Sequence, residues 1–101
     1  MRVIYSNIGG TEDCVIFRTG VPDSADHCFE GFAVHEYTRE VGGVRTRVHV
    51  TYVWTVRQWA TQPARFQVEL VDALTGETVY EAIVHANDLE SAISLAISRV
   101  P

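Results

Sequence analysis

Two adjacent glycines, Gly42 and Gly43, separate two long segments in which polar and apolar residues largely alternate. Glycine accepts positive φ angles, which a two-residue turn of type I′ or II′ requires. Residues 31–41 and 44–59 are therefore predicted to form an antiparallel hairpin. A hairpin of this length favours a fold built around an antiparallel sheet.

The register of this hairpin follows if Val41 pairs with Val44 across the turn. One face then joins mostly opposite charges: Glu40 with Arg45, Thr38 with Arg47, and Glu36 with His49. The other face pairs Tyr37 with Val48, His35 with Val50, Ala33 with Tyr52, and Gly31 with Trp54. A slip of one residue would send the apolar set into water, so the charged and the apolar pairs select the same register.

A second hairpin is predicted for residues 65–73 and 78–86, with Gly76 in the left-handed position of the turn. Its core face is expected to hold Phe66, Val68, Leu70, Tyr80, Ala82 and Val84. Its other face is expected to hold Val71, Val79 and Ile83, beside Glu69 and Glu81, which face each other. Pro63 marks the break between the two hairpins.

The C-terminal residues carry a helix pattern. Asn87 is the expected N-cap, and Glu90 follows three residues later, as in a capping box. An apolar stripe then recurs at helical spacing: Leu89, Ala92, Ile93, Ala96, Ile97 and Val100. This stripe is predicted to pack on the core face of the sheet, because a helix this short needs that burial to form.

The first 30 residues are harder to place, with short strands expected at residues 2–5 and 14–19. The predicted fold class is α+β. It consists of an antiparallel β-sheet meander, with four main strands plus short N-terminal strands, packed on one C-terminal α-helix. All of residues 1–101 are assigned to a single domain, because no linker or repeat divides the chain.

Charge and hydropathy exclude several function classes. The formal net charge of −5 argues against nucleic-acid binding, which depends on neutralising phosphates, and it favours a basic partner. No apolar run approaches the roughly 18 residues that span a bilayer. The first ten residues lack the apolar core of a secretory signal. We therefore expect a cytoplasmic protein without a membrane partner, whose cysteines are free thiols by default.

One candidate ligand site lies on the apolar face of the first hairpin. The register places His35 there, near Tyr37, Tyr52 and Trp54. A histidine among aromatic side chains can line a pocket if the helix leaves space above the sheet. The alternative is that these aromatic side chains simply fill the core.

Reactive residue types also cluster near the N-terminal end. Cys14, His27, Cys28 and His35 supply the sulfur and nitrogen ligands that zinc prefers, but their spacing matches no zinc module. Cys28 with His27 or His35 would be a nucleophile–base pair only if a thiolate and a base met. Buried, inert cysteines are the favoured interpretation, so no metal, cofactor or catalytic residue is predicted.

A stripe of basic residues, Arg45, Arg47, Arg57 and His49, shares the polar face of the long strand. Read alone, this stripe is typical of an anion-binding surface. The register places Glu40 and Glu36 opposite two of its members, so a solvated surface with paired charges is the preferred interpretation.

The most informative feature is a set of apolar residues on that same face, which a single helix on the other side cannot cover. We predict an interface at Phe32, Val34, Val53 and Trp59. Either the N-terminal strands fold over these residues, or a protein partner or a second copy in a homodimer covers them. The predicted function is a small non-enzymatic interaction domain, such as an accessory or inhibitor protein of a phage or other mobile element. The alternative is a ligand-binding domain or enzyme with a pocket near His35.

Overall fold

The computed structural model describes residues 26–100 in full and residues 2–7 through their backbone. The described strands are β1 (Arg2–Asn7), β2 (His27–Val41), β3 (Val44–Gln58), β4 (Arg65–Asp72) and β5 (Thr78–His85), followed by helix α1 (Leu89–Ser98). The sheet is antiparallel, with the strands side by side in chain order. The predicted α+β architecture of an antiparallel sheet and one C-terminal helix is confirmed. The strand expected at residues 14–19 lies outside the described residues.

The first hairpin has the predicted register throughout, from Val41 opposite Val44 to His27 opposite Gln58. Gly42 and Gly43 have φ angles of 58° and 80°. Positive φ at both central positions is the signature of a type I′ turn, whose twist matches that of the flanking strands. The glycines are thus required by the backbone conformation.

The strands β2 and β3 are 15 residues each and extend beyond the rest of the sheet. The pairing of β1 with β2 covers residues 29–34 of β2, and that of β4 with β3 covers residues 52–58 of β3. Residues 35–50 therefore project as a two-stranded ribbon, which we call the arm. The molecule is elongated as a result, with extents of 52 × 26 × 21 Å.

The second hairpin also has the predicted register, with Phe66 opposite Val84 and Glu69 opposite Glu81. Gly76 has a φ of 73° and closes the turn, as expected. One expectation is wrong: Val79 packs against the core instead of lying on the other face. The register shifts between Leu70 and Val71, and this irregularity breaks the simple alternation of sides along β5.

Helix α1 begins one residue later than expected, because Asp88 and not Asn87 is the N-cap. The Asp88 Oδ1 accepts a hydrogen bond of 2.7 Å from the backbone N of Ser91. This bond from Ser91 holds the pKa of Asp88 below its ordinary value of 3.8. No helix in the described part of the chain is long and apolar enough to cross a membrane.

The core lies between one face of the sheet, called the core face, and α1. The buried part of the predicted helix stripe consists of Ala92, Ile93, Ala96 and Ile97. On the sheet it meets Ala33, Tyr52, Trp54, Val56, Phe66, Val68, Leu70 and Val84. These are the residues that the predicted registers placed on the core face. The opposite face of the sheet, called the outer face, carries the candidate surfaces described next.

Candidate functional site

An apolar row crosses the outer face. The register aligns Phe32 on β2, Val53 on β3 and Val71 on β4, and we call these three residues the apolar row. Phe32 is 52% exposed, whereas the two valines are half-buried. Val34, two residues along β2, is half-buried on the same face, and Ile83 on β5 is 45% exposed. Three of the four predicted interface residues thus lie together on one face.

The next row of the outer face is acidic. Glu30, Thr55, Glu69 and Glu81 lie opposite one another on β2, β3, β4 and β5. Glu30 and Glu81 are exposed, and Glu69 is half-buried. Two residues along a strand span about 7 Å, so this row directly flanks the apolar row. The outer face therefore combines apolar surface with neighbouring carboxylates.

Trp59, the fourth predicted interface residue, is half-buried beyond the end of β3. Two guanidinium groups lie over its ring: the Arg57 Cζ is 4.3 Å from the ring centroid and the Arg65 Cζ is 4.2 Å from it. Such cation–π contacts are each worth about 0.5–2 kcal/mol. Trp59 is thus engaged within the chain, where it fixes the start of the 59–64 connection.

The sequence predicts that Arg57 belongs to a solvated stripe, but the structure shows that its side chain is buried. Its side chain is only 4% exposed and is paired with Asp26. The Arg57 Nε and Nη2 atoms both lie 2.9 Å from the Asp26 Oδ2. The Asp26 Oδ1 accepts a further bond of 2.9 Å from the backbone N of Ala60. This buried pair ties the chain before β2 to the end of β3 and to the next connection.

Two other members of the basic stripe, Arg47 and His49, lie beside Glu36 on the exposed side of the strand pair. The Arg47 Nε is 3.1 Å from the Glu36 Oε1, and the His49 Nε2 is 3.7 Å from the Glu36 Oε2. These side chains are about half exposed or more, so their attraction is weakened by water. Glu36 reaches Arg47 diagonally as well as His49 directly across the ribbon. The arm therefore neutralises much of its own positive charge.

A cleft opens where the arm leaves the body, between the core face and the end of α1. It has a volume of about 350 Å³ and is lined by His35, Tyr37, Tyr52, Ile97 and Val100. The His35 and Tyr37 rings are 5.2 Å apart between centroids and are inclined by 38°. Three of the four residues predicted to bind a ligand therefore line one cleft. The fourth, Trp54, is fully buried in the core.

The environment of the cleft disfavours the charged phenolate form of Tyr52. Burial raises the pKa of Tyr52 above its ordinary value of 10.0, and the neighbouring Tyr37 and Asp72 raise it further. Tyr52 is therefore a neutral hydroxyl at physiological pH. Together with the imidazole of His35 and the hydroxyl of Tyr37, it supplies the polar groups of a lining that is otherwise apolar.

Cys28 is fully buried, and it is disulfide-bonded where a free thiol was expected. Cys14, the other cysteine of the chain, lies outside the described residues. Because disulfides are rare in cytosolic proteins, the bonded state of Cys28 is at odds with the expected cytoplasmic location. A bonded sulfur also removes Cys28 as a nucleophile.

The alternation of a strand further separates the proposed zinc ligands. His27 and Cys28 are neighbours on β2 and therefore point to opposite faces of the sheet. His35 lies seven residues beyond Cys28, which also places the two on opposite faces. Among the described residues, no group of three or more His, Cys, Asp or Glu side chains is arranged to hold a metal ion. The Cys28–His27 and Cys28–His35 pairs are thus not a catalytic arrangement.

Comparison with known proteins gives no family assignment. No protein-family model matches this chain, and neither the curated proteins nor the solved structures contain a significant match.

Proposed function

We propose that this chain is a non-enzymatic protein–protein interaction domain, which binds its partner through the outer face of the sheet. The observation that carries this proposal is the apolar row, with Phe32 half exposed on the outer face of the sheet. A domain of this kind acts by occupying a surface of its target. A small accessory or inhibitor protein of a phage or other mobile element would work in that way.

The position of the helix supports this proposal. Helix α1 packs on the core face, where most of its contacts are with β4 and β5. The outer face presents Phe32, which is about half exposed, beside the half-buried Val34 and Val53. Apolar side chains spread across a face, and not scattered singly, are typical of an interaction surface. Phe32 is the natural anchor, because aromatic side chains are enriched at the centres of interfaces.

The charges around the apolar row indicate the chemistry of the partner. The exposed Glu81 belongs to the acidic row directly beside it, and the chain has a formal net charge of −5. A partner with apolar side chains next to basic residues is complementary to this surface. Such complementarity speeds association and selects partners more than it adds affinity.

The proposal is tested by affinity capture from a lysate of the source organism, with the wild type and the Phe32→Asp variant immobilised in parallel. The proteins retained are compared by quantitative mass spectrometry. Loss of a central aromatic anchor weakens binding by roughly tenfold or more. We expect one protein to be retained by the wild type and lost from the variant.

A matched control is Leu74→Asp, which introduces the same charge at an apolar residue that is 94% exposed. Leu74 lies in the turn between β4 and β5, beyond the paired strands of the sheet. Its variant should retain the partner. If the Phe32→Asp and Leu74→Asp variants retain the same set of proteins as the wild type, the outer face is not the binding surface.

The cleft near His35 supports a second candidate function, the binding of a small ligand. Its volume of about 350 Å³ is at the low end of the range for ligand pockets, which is roughly 300–1,000 Å³. The imidazole of His35 and the hydroxyls of Tyr37 and Tyr52 are the groups that would orient a ligand. A thermal shift on adding small aromatic or carbonyl compounds, abolished by His35→Ala, would favour this function.

A further inference from the structure

The arm leaves an apolar surface in water. Its inner side, which continues the core face, carries His35, Tyr37, Arg39, Val41, Val44, Thr46, Val48 and Val50. At the tip, Val41 is 53% exposed and Val44 is 64% exposed, and Tyr37 further down is 37% exposed. A two-stranded ribbon by itself is only marginally stable in water. The inner side of the arm is therefore a surface that gains from being covered.

We propose that the inner side of the arm binds a second copy of this chain, in a two-fold dimer. In this dimer the tip valines of each copy, Val41 and Val44, enter the cleft of the other copy. This contact is on the opposite side of the sheet from the outer face. The dimer would therefore leave both copies of the proposed partner surface accessible, and the two proposals stand or fall separately.

The register places the tip and the cleft at equal distances from the Tyr37–Val48 pair in the middle of the arm. Tyr37 pairs with Val48, and the tip residue Val41 lies four residues beyond Tyr37. In the other direction Tyr52, at the floor of the cleft, lies four residues beyond Val48. Each distance is about 14 Å at 3.4 Å per residue. A two-fold axis through the Tyr37–Val48 pair therefore brings each tip to the cleft of the other copy.

The charges of the arm are compatible with this pairing. Within residues 35–50, Arg39 is the only arginine or carboxylate that the register places on the inner side. The same axis sets Arg39 of one copy over the His35–Val50 pair of the other. Arg39 of one copy therefore does not lie over Arg39 of the other, and the two inner sides meet without opposed like charges.

The charges on the polar side of the arm do not indicate that another kind of partner binds there. Glu36 already holds Arg47 and His49 there, and these residues stay in water when the inner side is covered. The arm carries three arginines and two glutamates, which gives it a formal charge of +1 with histidine neutral. The rest of the chain then carries −6, since the total is −5. The tip of each arm reaches the acidic body of the other copy, where this difference in net charge is attractive.

The size of the surface predicts a weak dimer. A two-stranded face about 30 Å long and somewhat more than 10 Å wide covers roughly 400 Å² per copy. The pair of copies would bury about 800 Å² before the helix residues Ile97 and Val100 add their share. Specific interfaces start at about 1,200 Å² in total. We therefore expect the dimer to form and dissociate with protein concentration.

The test is sedimentation velocity of the purified full chain across a wide range of protein concentrations. The wild type should shift from monomer to dimer, and Val44→Asp should raise the dissociation constant by roughly tenfold or more. Val44 is mostly exposed, so its variant should keep the fold, which circular dichroism checks. The control is Thr38→Asp, which adds the same charge on the polar side of the same arm and should dimerise normally.

A second measurement fixes the geometry. Val44 is replaced by a benzophenone amino acid, and isotopically light and heavy forms of the protein are mixed and illuminated. Peptides that join a light and a heavy chain then identify cross-links between copies. We expect cross-links between copies, to peptides that contain Tyr52 or Val100. A chain that stays monomeric at every concentration would overturn the proposal. So would a dimer unaffected by Val44→Asp but lost in Phe32→Asp, or a small molecule found bound in the cleft of a monomer.

Discussion

Removal of the Asp26 carboxylate should cost far more stability than removal of any exposed charge of this protein. In the Asp26→Ala variant, the guanidinium of Arg57 would stay buried without the oxygen that now lies 2.9 Å from two of its nitrogens. Breaking one side of a buried ion pair costs about 3–5 kcal/mol. The backbone N of Ala60 would also lose its acceptor, which is worth about 1 kcal/mol.

The expected loss for Asp26→Ala is therefore about 5 kcal/mol. Domains of this size have a total free energy of unfolding of about 5–15 kcal/mol, so the variant would retain at most part of its stability. One kcal/mol corresponds to about 4–8 °C in melting temperature for domains of up to about 100 residues. We expect the melting temperature to fall by about 20–40 °C, measured by circular dichroism and confirmed by urea unfolding.

The matched control is Glu36→Ala, which breaks the ion pairs of a side chain that is 48% exposed. It should cost less than about 1 kcal/mol. Replacing both members of the buried pair, in Asp26→Leu with Arg57→Met, should restore part of the loss, because no buried charge is then left alone. If Asp26→Ala melts within about 4 °C of the wild type, the buried pair does not have the structural role described here.

Three further outcomes are expected. Leu70→Ala, at a fully buried site beneath α1, should lower the free energy of unfolding by about 2–5 kcal/mol in urea, and a loss below about 1 kcal/mol would contradict the packing. In an ultraviolet titration, Tyr52 should ionise with a midpoint above pH 10.0. Its contribution to stability should be full below pH 10.0 and should be lost as the pH rises through its raised pKa. A Tyr52→Phe variant with an unchanged titration curve would contradict this. The Asp88 cap should stabilise α1 above pH 3.8 and lose that effect as the pH falls through its lowered pKa, so helical circular dichroism should show an acid transition that is absent from Asp88→Ala.

The register of the first hairpin was predictable because two independent patterns agree, although β2 begins at His27 and not at residue 31. The charge pairs such as Glu36 with His49 and the apolar pairs such as Tyr37 with Val48 require one register, and the glycine turn allows it. A register in turn fixes which residues share a face. For this reason the apolar row and most of the cleft lining are predictable from the sequence alone.

The role of Arg57 was not predictable in the same way. The alternation of the strand correctly placed it on the outer face, but its partner Asp26 is 31 residues away in sequence. Local pattern carries no information about such a contact, and a polar residue on that face is exposed by default. The same limit applies to Trp59, whose exposure depends on the positions of Arg57 and Arg65.

Smaller differences have local causes. Asn87 and Asp88 are both good N-cap residues, and the sequence alone does not decide between neighbours. The irregularity beside Leu70 changed the side on which Val79 lies, because a single shift of register reverses the alternation. Trp54 was expected in the cleft, but it lies one row deeper than Tyr52, beneath the packed helix.

The simple order of the strands has a consequence for how the chain folds. From β2 to β5, each strand pairs with the next one in sequence, across connections of two residues (42–43), six residues (59–64) and five residues (73–77). Closing such short loops costs little entropy, and contacts between near neighbours in sequence favour rapid folding. We expect the Gly42–Gly43 turn to form early, with pairing spreading from it toward the body. A substitution such as Gly43→Val should then slow folding more than it speeds unfolding, as stopped-flow kinetics would show.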